Sequence, residues 1–295
     1  MDAVAHGSLR AASLFSLAGR TALVTGGGRG VGEMIARAFI QNGATVYIAS
    51  RSAPTCARTA AALTALGPGA CHALPAADVS TDAGCRALAA ALAQRVPALD
   101  ILVNNSGVSW GAPLADFPEE QWDRAMALNV KAPFMVARAC RALLAAGAAR
   151  APAGQAGEQE PPQPSPSRII NIGSIVGLRP QPVPTYAYDA SKAALHALTH
   201  KLSAELAPVT TVNALALGYV PSRMSRGLLH YGSAAQLAAA IPMQRFGSAS
   251  DVGGAALFLA SRAGAWVTGT VLTVDGGTVA QPLTLVAGGG GGELL

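Results

Sequence analysis

Short apolar runs alternate with segments of helical periodicity along most of the chain. Residues 21–25 form a β-rich run that ends in glycines, and the next segment repeats apolar residues on one helix face. Asn42 and Gly43 end that helix, and residues 44–50 form a second β-rich run. The order strand, helix, strand predicts a right-handed unit with parallel strands. The apolar residues of the helix face are Val31, Met34, Ile35, Ala38 and Phe39.

The alternation continues to the end of the domain, except that residues 217–247 show no clear pattern. The pattern predicts a single doubly wound α/β domain of the Rossmann type, with a mostly parallel sheet of about seven strands and helices on both faces. We predict further helices at 54–66, 81–95, 185–207 and 249–261, one more helix beginning at Pro118, and further strands at 71–77, 99–104, 168–172, 209–216 and 270–274.

Three segments do not fit this pattern. Residues 1–13 are predicted to be an N-terminal arm, and residues 14–280 the domain. Residues 150–167 are rich in proline and contain no core-forming residue, so we predict an exposed, disordered insertion within the domain. Residues 281–295 are predicted to be a flexible, glycine-rich tail.

Composition excludes several classes of protein. Of 295 residues, 51% are hydrophobic and only 13% are charged, which excludes disorder throughout. The net charge of +5 is carried mostly by scattered arginines. This distribution favours an anionic small molecule over nucleic acid as the partner. No apolar run of about 18 residues lacks a charge, so no membrane span is predicted.

The cysteines and the N-terminus bear on the compartment. The four cysteines show no C-x-x-C spacing, which predicts buried, reduced thiols in a cytoplasmic protein. The N-terminus has no long apolar stretch of the kind found in secretion signals, so secretion is not predicted. Residues 1–12, with Arg10 and several small residues, leave import into an organelle as an open alternative.

A glycine-rich turn joins the first strand to the first helix. Glycines let the backbone approach a pyrophosphate, and the helix N-terminus offers N–H donors. A glycine-rich turn without a ligand is the structural alternative. The residues predicted to hold a cofactor here are Gly26, Arg29, Gly30, Val31 and Gly32.

The end of the second strand indicates which dinucleotide binds. An NAD site usually has a carboxylate there for the ribose 2′-hydroxyl. This chain has Ser50 and Arg51 instead, and Arg29 lies in the turn. Two guanidinium groups can bind a 2′-phosphate, so we predict NADP(H). The alternative is that both arginines are solvated surface residues.

Tyr188 and Lys192 lie four residues apart, hence one turn apart on the same face of a helix. A tyrosine that acts as an acid or base near neutral pH needs its pKa lowered by about 3 units, roughly 4 kcal/mol. An ammonium about 5 Å away supplies on the order of 3 kcal/mol at an effective dielectric constant of ~20. The alternative is a core tyrosine beside a surface lysine.

Together these motifs resemble the short-chain dehydrogenase/reductase family over residues 14–279. Within the family the chain most resembles NADPH-dependent 3-oxoacyl reductases of the rhamnolipid type, through residues 109–111, 186–188, 221–224 and 241–243. The family motifs are residues 25–32, Asp78 and Val79, 104–107, Asn129, Gly173 and Ser174, 188–192, Gly218 and 275–277.

The resemblance implies four catalytic residues. Tyr188 would give a proton to the carbonyl oxygen, and Ser174 would hydrogen-bond that oxygen. Lys192 would lower the pKa of Tyr188 and hold the nicotinamide ribose. Asn129 would place a water that links Lys192 to solvent.

It also implies further cofactor residues and a homodimer or homotetramer. Asp78 and Val79 would face the adenine. The loop after the fourth strand would lie along the cofactor, and the loop after the sixth strand would border the nicotinamide. The residues of these two loops are Asn105, Ser106 and Gly107, and Gly218, Val220 and Ser222.

Some features depart from the family pattern. Ser174 precedes Tyr188 by fourteen residues, one more than is usual, which makes Tyr186 a weaker rival. Leu217 replaces the usual proline before Gly218. The places where carrier-protein-dependent relatives have basic residues hold the insertion, with Glu158 and Glu160, and Pro208, which favours a free or CoA-linked substrate.

Other residues suggest the substrate pocket and the subunit interface. Trp110, Tyr219 and Met224 are candidate pocket residues. His196 and His200 lie one turn apart and are expected to pack at a subunit interface; the spacing does not favour a metal site.

The sequence thus predicts an NADP-dependent enzyme acting on CH–OH groups. It would reduce a small carbonyl substrate, first of all a 3-oxoacyl thioester or similar 3-oxo compound. Two alternatives stay open: a dehydrogenase that oxidises a polyol, steroid or other secondary alcohol, and a non-catalytic NADP-binding sensor or scaffold.

Overall fold

A seven-stranded sheet forms the centre of the molecule. The computed structural model describes residues 8–150 and 165–280. All neighbouring strands are parallel, in the order β3-β2-β1-β4-β5-β6-β7. The sheet confirms the predicted doubly wound fold. The strands are β1 (Thr21–Thr25), β2 (Thr45–Ala49), β3 (Ala70–Ala73), β4 (Ile101–Asn104), β5 (Ser167–Ile172), β6 (Thr210–Leu217) and β7 (Val271–Val274).

The order of the strands reverses beside β1. The chain runs from β1 to β2 and β3 on one side, then returns so that β4 pairs with the other edge of β1. In open parallel sheets, ligands bind at such a reversal, in the crevice outside the carboxyl ends of the strands. Thr25 and Asn104 end these two strands, so a site is expected directly after them.

Helices cover both faces of the sheet. One face packs against α2, α3 and α10, and the other against α4, α6, α7 and α8. Successive side chains of a strand point to opposite faces of the sheet. Val24 therefore packs in the hydrophobic core beside α2, and Leu23 packs in the core beside α4. The helices are α1 (Ala11–Leu14), α2 (Gly30–Gln41), α3 (Ala53–Thr64), α4 (Asp82–Ala93), α5 (Glu119–Met126), α6 (Ala132–Ala139), α7 (Arg141–Ala148), α8 (Tyr186–Leu206), α9 (Ala234–Ala239) and α10 (Ala249–Ala260).

The predicted long helix after Pro118 is not continuous. A π-helical turn, Ala127–Lys131, separates α5 from α6, and α7 follows at Arg141. Pro133 has no N–H to donate to the carbonyl of residue 129, and its ring crowds that carbonyl, which explains the wider turn. The bulge contains Asn129 and therefore belongs to the site described below.

Both ends of the predicted insertion, residues 150–167, belong to the folded domain. Arg150, placed in the insertion by the sequence, donates to Asp100 at 2.8 Å beside Arg20 at 2.9 Å, and Ser167 begins β5. The rest of the insertion, residues 151–164, lies outside the described residues, as do residues 1–7 and the tail 281–295. The helix α1 spans the predicted boundary between arm and domain.

The unpatterned stretch contains a 3-10 helix, Met224–His230, and α9. Two further predictions concern the cysteines and membrane-spanning helices. All four cysteines are buried and free, as predicted. No helix among residues 8–150 and 165–280 is long and apolar enough to cross a membrane.

Candidate active site

The glycine-rich turn is tied to the loop that follows β4. Thr25 Oγ1 accepts hydrogen bonds from the backbone N–H groups of Asn105 (3.0 Å) and Ser106 (3.1 Å). The Asn105 side chain returns the contact by donating to the carbonyls of Thr25 (2.9 Å) and Gly26 (3.2 Å). The two predicted cofactor segments therefore form one rigid unit at the strand reversal.

Glycine is required inside this turn. Gly26 and Gly30 have φ angles of 66° and 57°, in the left-handed region that favours glycine. A Cβ on Gly32 would lie 2.4 Å from Asn105 Nδ2 and 2.6 Å from the Gly26 oxygen. The turn thus keeps its backbone accessible at the N-terminus of α2, which fits a bound pyrophosphate.

Helix α3 also packs against the glycine-rich turn, through two residues that no sequence motif identified. Thr59 Oγ1 donates to the Gly28 carbonyl at 2.8 Å. A Cβ on Gly28 would lie 3.2 Å from Cys56 Sγ, which is itself 3.2 Å from Ser50 Oγ. No motif marks Thr59 or Cys56, because each acts only through packing.

The two predicted 2′-phosphate arginines are exposed beside this unit. Arg29 immediately precedes α2, and Arg51 follows Ser50 after β2. Neither forms an ion pair or hydrogen bond through its guanidinium with another described residue. Ser50 Oγ accepts from Ser52 N at 3.1 Å, which fixes the turn between them. The arginines are therefore free to bind an anion.

Asp78 lies on the same side of the cleft as Arg51. Its carboxylate accepts from the Ser80 backbone (3.0 Å) and hydroxyl (2.7 Å). These hydrogen bonds, together with the positive charges of Arg51 and Arg124, lower the pKa of Asp78. Val79 is buried against the core. The pair that was predicted to face the adenine is thus held in one conformation.

The loop after β6 extends back toward the glycine-rich turn. A Cβ on Gly30 would lie 3.6 Å from Ser222 Cβ. A Cβ on Gly218 would lie 2.7 Å from Asp275 Cα, so this glycine packs directly on the loop after β7. Val220 is buried, and its carbonyl accepts from Ser225 Oγ at 2.9 Å. Leu217 is a core residue at the end of β6, so packing and these contacts hold the loop without the usual proline.

Helix α8 carries Tyr188 and Lys192 on one face, as predicted. Lys192 is buried rather than on the surface, and its Nζ donates to the Ile172 carbonyl at 2.6 Å. The same nitrogen lies 5.5 Å from the centroid of the Tyr188 ring. Burial lowers the pKa of Lys192 to about 8.

The prediction that Lys192 lowers the pKa of Tyr188 is wrong for the chain's own groups. Burial raises the pKa of Tyr188, the hydrogen bond with Ser174 lowers it, and the charge of Asp189 raises it further. Burial opposes the charged form of the phenol, and the Lys192 ammonium is directed at the Ile172 carbonyl. Tyr188 therefore stays protonated near neutral pH.

Ser174 lies beside Tyr188, as the mechanism requires. It follows β5, caps a short 3-10 helix (Ile175–Gly177), and shares a side-chain hydrogen bond with Tyr188. The loop before α8, where the extra residue is expected, is held by the Pro184 carbonyl, which accepts from Ala112 N at 3.1 Å. Tyr186 is 40% exposed and packs edge-on against Phe117, which removes it as a rival.

Asn129 binds the protein itself with every side-chain atom that can hydrogen-bond. Its Oδ1 accepts from Val108 N, and its Nδ2 donates to Val108 O and Ser191 Oγ, each at 2.9 Å. Ser191 Oγ in turn donates to the Tyr188 carbonyl at 2.7 Å. The side chain thus fastens the loop after β4 to α8, and Ser191 is a further residue that the sequence did not single out.

The candidate pocket residues Trp110 and Tyr219 lie on loops, and Met224 begins the 3-10 helix after β6. Trp110 and Met224 are 44% and 49% exposed, and the Tyr219 hydroxyl donates to Gln181 Oε1 at 3.3 Å. His196 is buried within the chain, contrary to the expectation of a subunit contact, whereas His200 is exposed. The described residues contain no group of three or more histidines, cysteines or acids arranged for a metal.

Comparison with known proteins gives a consistent result. A family model described as enoyl-(acyl carrier protein) reductase matches residues 26–279. The rhamnolipids biosynthesis 3-oxoacyl-[acyl-carrier-protein] reductase of Pseudomonas aeruginosa is 44% identical over 265 residues, which cover 89% of this chain and 97% of that protein. Galactitol 2-dehydrogenase (L-tagatose-forming) of Cereibacter sphaeroides is 38% identical over 271 residues, covering 90% and 97%.

Solved structures agree with these relatives. The Pseudomonas aeruginosa RhlG/NADP active-site complex superposes with a TM-score of 0.80 at 42% identity, covering 90% of this chain and 98% of that one. A gluconate 5-dehydrogenase from Burkholderia cenocepacia, in complex with NADP and tartrate, has a TM-score of 0.79 at 32% identity, covering 92% and 100%. With its sheet order, its glycine-rich turn and its serine, tyrosine and lysine in place, the chain belongs to the short-chain dehydrogenase/reductase family.

Proposed function

We propose that this protein is an NADPH-dependent reductase that converts a ketone, first of all a 3-oxoacyl thioester, to a secondary alcohol. The observation that carries the proposal is the grouping of Ser174, Tyr188 and Lys192 at the carboxyl end of the sheet, next to the glycine-rich turn. Tyr188 and Ser174 share a hydrogen bond, and Lys192 is buried beside them.

The cofactor site fits a dinucleotide with a 2′-phosphate. A Cβ on Gly32 would collide with the backbone of the turn itself. With glycine at this position the turn stays narrow, and its N–H groups stay accessible. Arg29 and Arg51 have no ion-pair partner in the described part of the chain. A bidentate guanidinium contact to phosphate would favour NADPH over NADH roughly ten- to a hundredfold.

When bound, the nicotinamide supplies the hydride; the chain supplies the proton and the geometry. Tyr188, kept protonated by burial, donates its phenolic proton to the carbonyl oxygen. Ser174 hydrogen-bonds the same oxygen and stabilises the charge that develops on it. Lys192, held by Ile172, places a positive charge beside the phenolate that forms. Asn129 keeps the adjoining loop against α8.

The substrate class rests on the similar reductase and on the pocket. Trp110 and Met224, both predicted to line the pocket, are exposed apolar side chains. An apolar pocket would suit an acyl chain better than a polyol. The polyol and gluconate dehydrogenases among the relatives favour the reverse reaction on a secondary alcohol as the second candidate. A free or CoA-linked thioester is preferred to a carrier-protein-linked one, because Glu158 and Glu160 lie where carrier-dependent relatives have basic residues.

NADPH oxidation against a ketone panel tests this proposal. The panel should contain 3-oxoacyl-CoA thioesters, the same acyl groups on acyl carrier protein, free 3-oxo esters, and 5-ketogluconate, each also with NADH. We expect the 3-oxoacyl compounds to react fastest, with NADPH preferred to NADH roughly ten- to a hundredfold. Faster oxidation of galactitol or gluconate with NADP⁺ would favour the second candidate, and cofactor binding without any turnover would favour a sensor.

Two further properties belong to the proposal. Four buried free thiols support a reducing compartment, so we place the enzyme in the cytoplasm. The nearly full exposure of Trp266 (98%), between α10 and β7, supports a homodimer or homotetramer that would cover it. Sedimentation equilibrium would measure the number of subunits.

A further inference from the structure

His196 is buried directly beneath the catalytic serine. It lies on α8 one turn after Lys192 and is 5% exposed. Its ring contacts the two glycines on either side of Ser174. A Cβ on Gly173 would lie 2.3 Å from His196 Nε2 and 3.0 Å from Cδ2, and a Cβ on Gly177 would lie 3.0 Å from Cε1. The imidazole therefore occupies the space that a side chain at position 173 would need. At Gly177 the backbone of α8 at Lys192 and Ala193, 2.7 Å from such a Cβ, excludes a side chain together with the ring.

The ring acts mainly through its shape. Neither ring nitrogen makes a hydrogen bond of good geometry among the described residues, and the hydrogen bond with the Gly177 backbone is weak. Burial, and then the charges of Lys192 and His200, lower the pKa of His196 to about 4, although the Gly177 backbone acts weakly in the opposite direction. The ring is thus neutral at physiological pH. A buried polar ring with so little hydrogen bonding usually has a specific role to explain it.

Together, Lys192 and His196 hold the whole segment from β5 to the 3-10 helix. Lys192 Nζ binds the Ile172 carbonyl, and the His196 ring bears on Gly173 and Gly177. Ser174 lies between these points, and its partner Tyr188 stands on the same helix one turn before Lys192. The helix that carries the proton donor therefore also sets the position of the serine.

We infer that His196 is a positioning residue, whose ring sets the separation between the Ser174 and Tyr188 hydroxyls. The inference rests on the proposed reductase function and adds to it a residue that does not touch the substrate. Because misplacement of a reacting group by about 1 Å can cost on the order of a hundredfold in rate, a ring-sized gap beneath Ser174 is expected to slow the chemical step.

The first test replaces the ring and leaves the rest of the helix. His196→Ala should lower kcat about tenfold or more, while NADPH affinity changes by less than about twofold. His196→Leu, which fills the space without nitrogens, should keep kcat within about threefold. His200→Ala, an exposed histidine on the same helix, is the matched control. Wild-type kcat in His196→Ala, or loss of kcat in His196→Leu as large as in His196→Ala, would overturn the inference.

The second test separates positioning from general stability. In a Ser174→Ala background, His196→Ala should cause no further loss of kcat, because the ring acts through the serine. Equal losses in both backgrounds would contradict this. Gly173→Ala should be impaired alone and recover part of its kcat when combined with His196→Ala, because the methyl group then enters the vacated space.

A structural measurement keeps this inference apart from the proposed function. Crystal structures of the wild-type protein and His196→Ala should differ in the distance between Ser174 Oγ and Tyr188 OH. An unchanged distance would disprove the inference whether or not a ketone substrate is found. Absence of ketone turnover in the wild-type protein would instead disprove the proposed function.

Discussion

The ammonium nitrogen of Lys192 lies 5.5 Å from the centre of the Tyr188 ring; Lys192 is buried and Tyr188 is partly buried. A phenolate and an ammonium about 5 Å apart would be stabilised by about 3 kcal/mol at an effective dielectric constant near 20. Burial nevertheless raises the pKa of the phenol and lowers that of the ammonium. The pair is thus arranged for a phenol that is protonated at rest and becomes stabilised as an anion only after it gives up its proton.

The depressed pKa of Lys192 predicts a stability change at alkaline pH. Its pKa is about 8 in the folded chain, against about 10.4 in the unfolded chain. Between these values the unfolded state binds more protons, so the free energy of unfolding rises with pH, by on the order of 3 kcal/mol in total. Below pH 8 Lys192 is protonated in both the folded and the unfolded state, so the full free-energy cost of burying its charge remains.

Lys192→Met isolates this contribution. Urea unfolding of the protein freed of cofactor, at several pH values from 7 to 10.5, should show the wild-type protein gaining stability relative to the variant across this range. A stability difference that stays constant with pH would mean that Lys192 is not buried in its charged form.

Arg29 and Arg51 are predicted to select the cofactor. Arg29→Ala and Arg51→Ala should each raise the dissociation constant for NADPH about ten- to a hundredfold and leave that for NADH nearly unchanged, because only NADPH carries the 2′-phosphate. Isothermal titration with both dinucleotides measures this. Arg95→Ala, an exposed arginine just after α4, is the matched control. Equal weakening of NADH and NADPH would mean that the arginines do not recognise the 2′-phosphate.

Gly32 is predicted to be irreplaceable in the glycine-rich turn. In Gly32→Ala the new methyl group would lie 2.4 Å from Asn105 Nδ2 and 2.6 Å from the Gly26 oxygen, so the turn and the β4 loop must separate. We expect cofactor affinity to fall more than about tenfold. Gly254→Ala on α10, where a Cβ meets nothing within 4 Å, should keep affinity and gain up to about 1 kcal/mol of stability. Normal affinity in Gly32→Ala would refute this packing.

Asn129 is predicted to act by fastening the Val108 loop to α8. Asn129→Ala leaves the Val108 N–H and carbonyl without their partner, which should lower the free energy of unfolding by about 1–3 kcal/mol and reduce kcat. Asn42→Ala removes a 2.8 Å side-chain bond to Ala38 at the end of α2 and serves as the control. If Asn129→Ala kept full stability and lost only kcat, Asn129 would act by placing a water beside Lys192, not by holding the Val108 loop.

The fold could be predicted well from the sequence, for a clear physical reason. Buried parallel strands and amphipathic helices have different periods, so the order of the elements can be read directly, and the glycine-rich turn is recognised by its place between a strand and a helix. Element ends differed by a few residues, as in the predicted strand 71–77, which is observed as Ala70–Ala73.

What sequence could not predict depends on tertiary packing. The charge of Lys192 is visible in the sequence, but its burial is not, and burial reverses the expected shift of the Tyr188 pKa. His196 was expected at a subunit interface, because nothing local shows that two glycines of another segment enclose its ring. The π-helical turn had a visible signal in Pro133, which interrupts the pattern of the predicted helix.

The reduction of a 3-oxoacyl thioester by Tyr188→Phe, measured beside NADPH binding, decides whether Tyr188 is the proton donor. The substitution removes one hydroxyl group and keeps the ring that packs near Lys192. The account predicts that kcat falls about 10²- to 10⁴-fold while the dissociation constant for NADPH changes less than about threefold. A Tyr188→Phe protein that retains wild-type turnover would contradict it, because the proton would then come from another group.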